Sequence, residues 1–574
     1  MRAPAWLPLA ALLIFAASQA LAPMTESDLF FRLAAGREIL AHHTLPSHNL
    51  FSFTAPDFPD LDASWLFEVL AALAFRAGGF PGVVAGKAGV VVAGAAAAFA
   101  LCRRRGAGPV AAALAVAAAL AVMQERLVER PHLASFAGEL GVLFALDGWG
   151  EPRREPRHPA RAAAALLLGI ALWANLHAGV FVAPVLLALC ALGLALDGRG
   201  REARLPAALA LASVGAMLAT PLGPGIFRYL ALHLTIPRLH PVDEFRAATL
   251  RSDGPLALYA AAVVGALAIT GRRAGWRSLF PAALPVLLPV LAMGALALHA
   301  IRFGADFALC VAPLLAVGAS ALGRRAPMPL AIGASALLLG LAVGPRWLAV
   351  RQGQGFLDID LDRTSLPLEA IQFVEQNGLR ERMYNDFEIG SYLAFEGYPR
   401  YRVFIDPRLP AYPAAFHALL GRFDLGRDEW DRAMQRYGVD SALLAYAGLN
   451  RRVSWWDPAT WALVYRQHDA RVFLRRLPRW RAFIAAHEIP ATFSFTVEEG
   501  TATLPLEAPP PGSPVAPCEW QRRLGDLLIE LDPGQPAPAI AAYRRALAAP
   551  AGCLAPADEA ALRAWLGKAP GQGS

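Results

Sequence analysis

The sequence predicts an α-helical polytopic membrane protein of about eleven transmembrane helices, with a small periplasmic α/β domain and a C-terminal helical hairpin. Three observations carry that expectation. Of 574 residues, 56% are hydrophobic and 17% charged, where an ordinary soluble domain carries roughly a quarter charged residues. The apolar excess is concentrated between Ala5 and Val350, and the chain after Arg351 reads as ordinary globular protein. Arginines, finally, gather in alternate loops between the apolar runs. Together these exclude a soluble enzyme, a disordered scaffold and a secreted disulfide module.

The shifts in composition divide the chain into a transmembrane domain over 1–350, an extracytoplasmic α/β domain over 351–507, a Pro-rich linker over 508–517, and a hairpin and tail over 518–574. A bilayer core about 30 Å thick takes about 17 to 25 apolar residues per helix. Spans fall near 5–22, 82–101, 107–123, 132–147, 162–176, 178–196, 205–220, 255–270, 279–298, 303–322 and 328–347. One set of loops carries Arg103, Arg104 and Arg105; Arg153, Arg154, Arg157 and Arg161; Arg199, Arg201 and Arg204; Arg272, Arg273 and Arg277; and Arg324 and Arg325, while Arg2 precedes the first span. The positive-inside rule then puts the N-terminus in the cytoplasm. An odd number of spans leaves the C-terminal domain outside, in the periplasm of a Gram-negative cell. The first segment has a second reading, a cleaved signal peptide ending near Ser18–Ala20, and both readings export residue 24 onward.

The net charge of +7 and the pI near 9.4 reflect these loop arginines. No basic stripe with interleaved aromatics is present, so a nucleic-acid partner is excluded. Lysine occurs only at Lys87 and Lys568, and with abundant Ala, Gly and Pro this arginine bias indicates a GC-rich bacterial genome.

The other loops carry a different chemistry. After the first span come Glu26 and Asp28, then a long loop with His42, His43, His48, Asp57, Asp60, Asp62 and Glu68. Further along are Glu125, Arg126, Glu129, Arg130 and His132; then His177; then an amphipathic stretch from Phe227 to Asp253 with His233, His240, Asp243, Glu244 and Arg246; then His299, Arg302 and Asp306. The spans themselves read as free of mid-depth acids. Ionisable groups at membrane depth are costly and functional by default, so their gathering on one face predicts a polar cavity open to the outside. Individually each has a plainer reading. Arg126, Arg130 and Arg302 suit snorkelling to headgroups, His177 and His299 suit helix capping, and Glu26 and Asp28 suit the start of a helix near Leu29.

These residues resemble the membrane glycosyltransferases of the GT-C superfamily, in an uncharacterised bacterial branch with an outer C-terminal domain. The resemblance lies in Glu26-x-Asp28 just after the first helix, within Glu26-Ser27-Asp28-Leu29-Phe30-Phe31-Arg32-Leu33 with Gly36. It continues in Ser52-Phe53-Thr54 with Trp65 and Glu68, Arg130-Pro131-His132, Trp173 to Gly179, and Arg302-Phe303. In the outer domain it includes Tyr384 to Leu393 and Val403 to Arg408. Where similar proteins often place histidine, this chain has Arg32. The resemblance implies a sugar donor carried on a polyprenyl phosphate. It implies Asp28 as the base that takes the acceptor proton, with Glu26 as its partner or a metal ligand. Arg302, Arg126 and Arg130 would stabilise the leaving phosphate, and His132, His177 and His299 would bind that phosphate or a divalent ion. A thiolate-free set of carboxylates favours Mg or Mn over zinc.

Beyond the spans, a helical pattern over Thr364–Asn377 is followed by strand-like runs at Arg402–Ile405, Ala442–Leu444, Ala462–Tyr465 and Arg471–Leu474, with helical stretches near Ala414–Leu420 and Asp428–Tyr437. This alternation suggests a small α/β layer. Asn385, Asp386, Asp406 and Arg408 lie at strand ends, where ligand residues often sit, and Asp406 with Arg408 also suits a structural pair. Trp455-Trp456-Asp457 lacks the rest of the oligosaccharyltransferase signature that it resembles. Ala508 to Pro514 is a stiff spacer. The tail resembles one degenerate tetratricopeptide unit, a docking module for an envelope protein partner, flanked by Cys518 and Cys553, which are expected to pair in an oxidising compartment.

The leading function is therefore transfer of a sugar from a polyprenyl-phosphate donor to an envelope acceptor at the outer face of the cytoplasmic membrane, with inversion. The alternative is a non-catalytic envelope protein, or a transporter or assembly factor for polysaccharide or lipid export. An ATP-driven pump is disfavoured because no G-x-x-x-x-G-K-[ST] loop occurs.

Overall fold

The computed structural model describes residues 4–149, 158–235, 243–249, 253–274, 276–322, 327–352, 355–422, 427–445, 457–467, 470–496 and 500–568. His240, Trp455, Trp456 and the loop arginines at 153, 154, 157, 324 and 325 lie outside the described residues. The chain forms two units, one of residues 1–47 and 60–362, the other of 48–59 and 363–574.

The first unit is helical: α1 Trp6–Ala20, α2 Asp28–His42, α3 Trp65–Arg104, α4 Pro109–Val122, α5 His132–Trp149, α6 Pro159–Leu176, α7 Val182–Leu196, α8 Gly200–Met217, α9 Gly225–Thr235, α10 Gly254–Ala274, α11 Trp276–His299, α12 Gly304–Leu322 and α13 Met328–Arg351. Each of the eleven expected spans overlaps one of these helices. Among the described residues, five stretches are long and apolar enough to cross a membrane: Trp65–Arg104, Pro159–Leu176, Ala178–Leu196, Ile301–Ser320 and Met328–Arg351. Shorter apolar helices run over Trp6–Ala20, Pro109–Val122, Gly254–Ile269 and Leu284–His299. The protein is a multi-pass membrane protein. Proline at the first position of α4 and α6 sets the helical φ where no backbone donor is needed.

At 40 residues α3 would measure about 60 Å as one rod, and it is broken instead. Gly79 adopts φ +64 and Gly78 also leaves helical geometry, just before Pro81, which separates a first segment from the apolar run near 82–101. Gly36 has a different task. A Cβ there would strike the Glu68 carbonyl, so glycine lets α2 lie against the start of α3.

The expectation of spans free of mid-depth acids is corrected. Glu139, in α5, is fully buried and interacts with the carboxyl of Asp306 at the start of α12. Lys87 of α3 meets Glu129 at 2.6 Å, both buried. Toward the other end of α5, Asp147 is held by Arg104 at 3.2 Å and Arg105 at 3.1 Å. Mean hydropathy conceals such single charges because helix packing decides which face they occupy.

The second unit contains α14 Leu368–Gln376, β1 Met383–Asn385, α15 Phe387–Gly397, α16 Ala414–Arg422, α17 Arg427–Tyr437, β2 Ser441–Ala445, β3 Trp461–Arg466, β4 Ala470–Arg475, α18 Arg481–His487, β5 Ala491–Thr496, β6 Gly500–Pro505, α19 Pro517–Leu531, α20 Ala537–Leu547 and α21 Pro556–Leu566. The main sheet has order β1-β2-β4-β3, with β1 parallel to β2 and the other pairs antiparallel. The central β2 is buried along its whole length, as a strand covered on both faces must be.

Arg402–Ile405 is not a strand of that sheet. Side chains occupy its backbone groups: Asn385 Oδ1 accepts from Phe404 N–H at 2.8 Å, and the Phe404 carbonyl accepts from Thr54 Oγ1 at 2.7 Å. A single parallel bridge joins Ser52 to Val403. The described part of the tail holds three helices, where a hairpin was expected. Cys518 and Cys553 are joined by a disulfide with Cα atoms 6.1 Å apart, and α19 is pinned by a Trp520 indole bond to the Leu506 carbonyl.

Candidate active site

The polar cluster of the first unit forms at one end of its bundle, where α2, α3, α5 and α12 begin and α4 and α6 end. Asp28 opens α2, and its N–H donates to Glu26 Oε1 at 3.0 Å. Arg130, in the α4–α5 connection, joins the carboxylates. Its Nε lies 2.8 Å from Glu26 Oε2 and one terminal nitrogen 3.3 Å from Asp28 Oδ2. The other terminal nitrogen pairs with Glu244. Glu244 in turn meets Arg126 at 3.0 Å. Burial works against the Arg130 charge, and Asp28, Glu26 and Glu244 together outweigh it and raise its pKa. Burial likewise pushes Glu244 up, but Arg126, Arg130 and Arg302 prevail and hold it at about 2. Glu26, Asp28, Arg126, Arg130 and Glu244 are thus one ion-pair network.

Arg302 stands apart within the same cluster. Its charge bears on Glu244 and His177, yet among the described residues no carboxylate lies within ion-pair distance. Its guanidinium sits 4.5 Å from the centroid of the Phe245 ring, a cation–π contact that holds the head group without neutralising it. Arg32, by contrast, pairs with Glu68 at 3.4 Å.

His177 and His132 are neighbours, with ring centroids 6.4 Å apart. His177 Nδ1 accepts from Gly179 N–H at 3.2 Å and lies 2.7 Å from Ser135 Oγ, while Ser135 Oγ accepts the Trp173 indole N–H at 2.9 Å. This pattern assigns the His177 proton to Nε2. Burial and the charges of Arg302, Arg32 and Arg126 take its pKa well below 6.5. His233 on α9, with Nδ1 3.2 Å from the Tyr229 carbonyl, is brought by burial and Arg302 to about 4. At neutral pH both imidazoles are uncharged hydrogen-bonding groups. His132 is buried and bonded to the Arg126 carbonyl, an arrangement that fixes the Arg126 loop.

His299 does not join the cluster. It ends α11 exposed, with no contact to these residues among those described. The four outer-domain candidates form internal clips in the second unit. Arg408 chelates Asp406 through Nε at 2.9 Å and a terminal nitrogen at 2.8 Å, and Tyr412 donates to Asp406 at 2.9 Å. Asn385 bonds the Ile405 carbonyl at 2.8 Å, and Asp386 accepts from Ala445 N–H at 2.6 Å. Their polar atoms hold loops together.

The residues present do not fit a metal centre at Glu26 and Asp28. Arg130 lies between the two carboxylates, and among the described residues no group of three or more His, Cys, Asp or Glu side chains is placed to hold an ion. Sequence reasoning missed Glu244 and Phe245 as site residues. Glu244 lies 114 positions from Arg130 in the chain, and the amphipathic stretch that carries it was the available signal.

No family model matches the sequence and no curated protein matches it. Solved structures do match. The archaeal oligosaccharyltransferase AglB from Archaeoglobus fulgidus, in complex with an inhibitory peptide and a dolichol-phosphate, superimposes with TM-score 0.51 and 12% identity over 87% of this chain and 74% of that one. The Archaeoglobus fulgidus oligosaccharyltransferase in complex with Zn and sulfate gives TM-score 0.50 and 13% identity over 82% and 73%. This chain shares the fold of that oligosaccharyltransferase. ArnT from Cupriavidus metallidurans, bound to undecaprenyl phosphate, aligns at TM-score 0.46 and 13% identity over 81% of this chain and 96% of that one.

Proposed function

We propose that this protein is a glycosyltransferase that moves a sugar from a polyprenyl-phosphate-linked donor to an envelope acceptor, at the outer face of a bacterial cytoplasmic membrane. The N-terminus is cytoplasmic in this reading and the second unit periplasmic, with the tail helices available to an envelope protein partner. The observation that carries the proposal is that Arg130 ties the Glu26–Asp28 pair to Glu244 and Arg126, in a cluster that also holds Arg302. A carboxylate and phosphate-binding cations are what inverting transfer from a phosphate carrier requires.

Asp28 takes the proton of the acceptor hydroxyl as its oxygen forms the bond to the anomeric carbon. The bond from that carbon to the phosphate oxygen breaks, and its electron pair leaves with the phosphate. Arg130, 3.3 Å from Asp28 Oδ2, holds that carboxylate in place. Arg302, with the neutral His177 in the same cluster, stabilises the charge developing on the phosphate.

The test is sugar transfer from polyprenyl-phosphate donors by membranes carrying wild type or Asp28→Asn. Equal transfer by the two would eliminate Asp28 as the base. An export or assembly role is the second reading, and the buried Glu139–Asp306 and Lys87–Glu129 pairs favour it, because charges inside a bundle suit a polar path. Absence of transfer by the wild type, with export retained, would select it.

A further inference from the structure

The arginines of the cluster differ in what they face. Arg32 is paired with Glu68. Arg130 is shared among Glu26, Asp28 and Glu244, and Arg126 is held by Glu244. Glu244 is about a quarter exposed, so it is within reach of a ligand, and it adjoins Phe245, on which Arg302 stacks. One residue therefore commits two guanidinium groups, and its chain neighbour supports the third, which is left uncommitted.

We propose that Glu244 sets the charge of the donor that this site accepts: by occupying Arg126 and Arg130 it leaves Arg302 as the cation for the carrier, which fits a sugar on a single phosphate and disfavours a sugar on a diphosphate. The proposal rests on the glycosyltransferase reading and deepens it. A sugar joined to a polyprenol through one phosphate is a phosphodiester with one negative charge, matched by one uncommitted guanidinium. A diphosphate link carries two, and the second would face the Glu244 carboxylate where it needs a cation. Like charges brought together in a partly buried site discriminate strongly. Neutralising Glu244 releases Arg126 to meet a second phosphate.

The experiment measures binding of undecaprenyl phosphate and undecaprenyl diphosphate to the full chain in lipid nanodiscs. Each probe carries one more charge than the donor it represents, so the difference between the two is preserved. The wild type is expected to bind the monophosphate at least tenfold more tightly. Glu244→Gln, which keeps the shape and removes the charge, is expected to shift that ratio toward the diphosphate by tenfold or more. Glu244→Asp is expected to restore the wild-type preference, a rescue that a merely structural role would not give. A ratio unchanged in Glu244→Gln, or a wild type that prefers the diphosphate, overturns the proposal and leaves the transferase reading intact if sugar transfer is seen. A wild type that binds neither lipid overturns both.

Discussion

The first unit and the second each contain a buried arginine–carboxylate assembly, and the two are built on opposite accounts of charge. In the second unit Arg408 and Asp406 form a closed pair. Asp406 is fully buried, its oxygens accept from Arg408 and Tyr412, and Arg408 reaches Asn49 at 2.6 Å and lies over Phe51. In the first unit three carboxylates share two arginines, a third arginine rests on an aromatic ring, and two histidines are kept neutral. A closed pair holds loops in register and has nothing left for a ligand. An open network has a cation and several donors whose partners must come from outside. The same residue types thus mark structure in one unit and a candidate site in the other, and the distinction lies in stoichiometry.

The largest expected effect tests the open network. Asp28→Asn removes the proposed base while keeping its shape, and general-base catalysis contributes roughly 10²- to 10⁴-fold. Transfer should fall within that range with little change in thermal stability. A comparable loss of stability would make Asp28 another structural clip.

The closed pair should behave in reverse. Asp406→Ala leaves the Arg408 guanidinium buried without its carboxylate, and breaking a buried pair costs about 3–5 kcal/mol. Thermal unfolding of the full chain should show the second unit's transition lowered, with transfer per folded molecule preserved. Catalytic loss at full stability would reassign Asp406 to a functional role.

The fold was legible in the sequence where hydropathy and composition decide it. Runs such as 328–347 could be little else than membrane helices, whereas the division into two units falls after residue 362, beyond the compositional break at Arg351, and gives 48–59 to the second unit. The clustering of Arg126, Arg130, His132, His177 and Arg302 was legible because each sits beside a helix end on one side of the alternation. Illegible features depend on contacts far apart in sequence. Ser52 and Thr54 follow α2 in the chain yet hold the backbone at Phe404. Arg402–Ile405 has strand-like residues, but Asn385 and those hydroxyls occupy its hydrogen bonds. The burial of Glu139 beside Asp306 of α12 depends on helix packing that the linear sequence does not display.

Within the second unit the comparison sharpens further at the tail, where a covalent closure joins Cys518 to Cys553 across 35 residues. Loop-closure entropy for that separation gives roughly 3–4 kcal/mol, with engineered and native values often lower. Cys518→Ser should lower the unfolding temperature of the tail helices, with a deficit of about 2–3 kcal/mol, and leave lipid binding by the first unit unchanged. Wild type treated with reductant should reproduce the shift.

The smallest effect is a pH dependence, and its sign separates the two kinds of charge in the first unit. Glu244, held at about 2, is depressed below an ordinary carboxyl. Its contribution is complete at neutral pH and is lost only as pH falls below about 4 and through 2. His233, at about 4, is depressed below an ordinary imidazole, so the unfolded chain binds its proton first. Stability then rises with pH between 4 and 6.5, and at pH 5.5 the deficit relative to pH 7.5 is about 1 kcal/mol for one such group. Thermal unfolding at these two pH values should show that loss in the wild type, and His233→Asn, which cannot titrate, should show less of it. An equal loss in the variant would assign the dependence to other groups and leave His233 outside the charge field of Arg302.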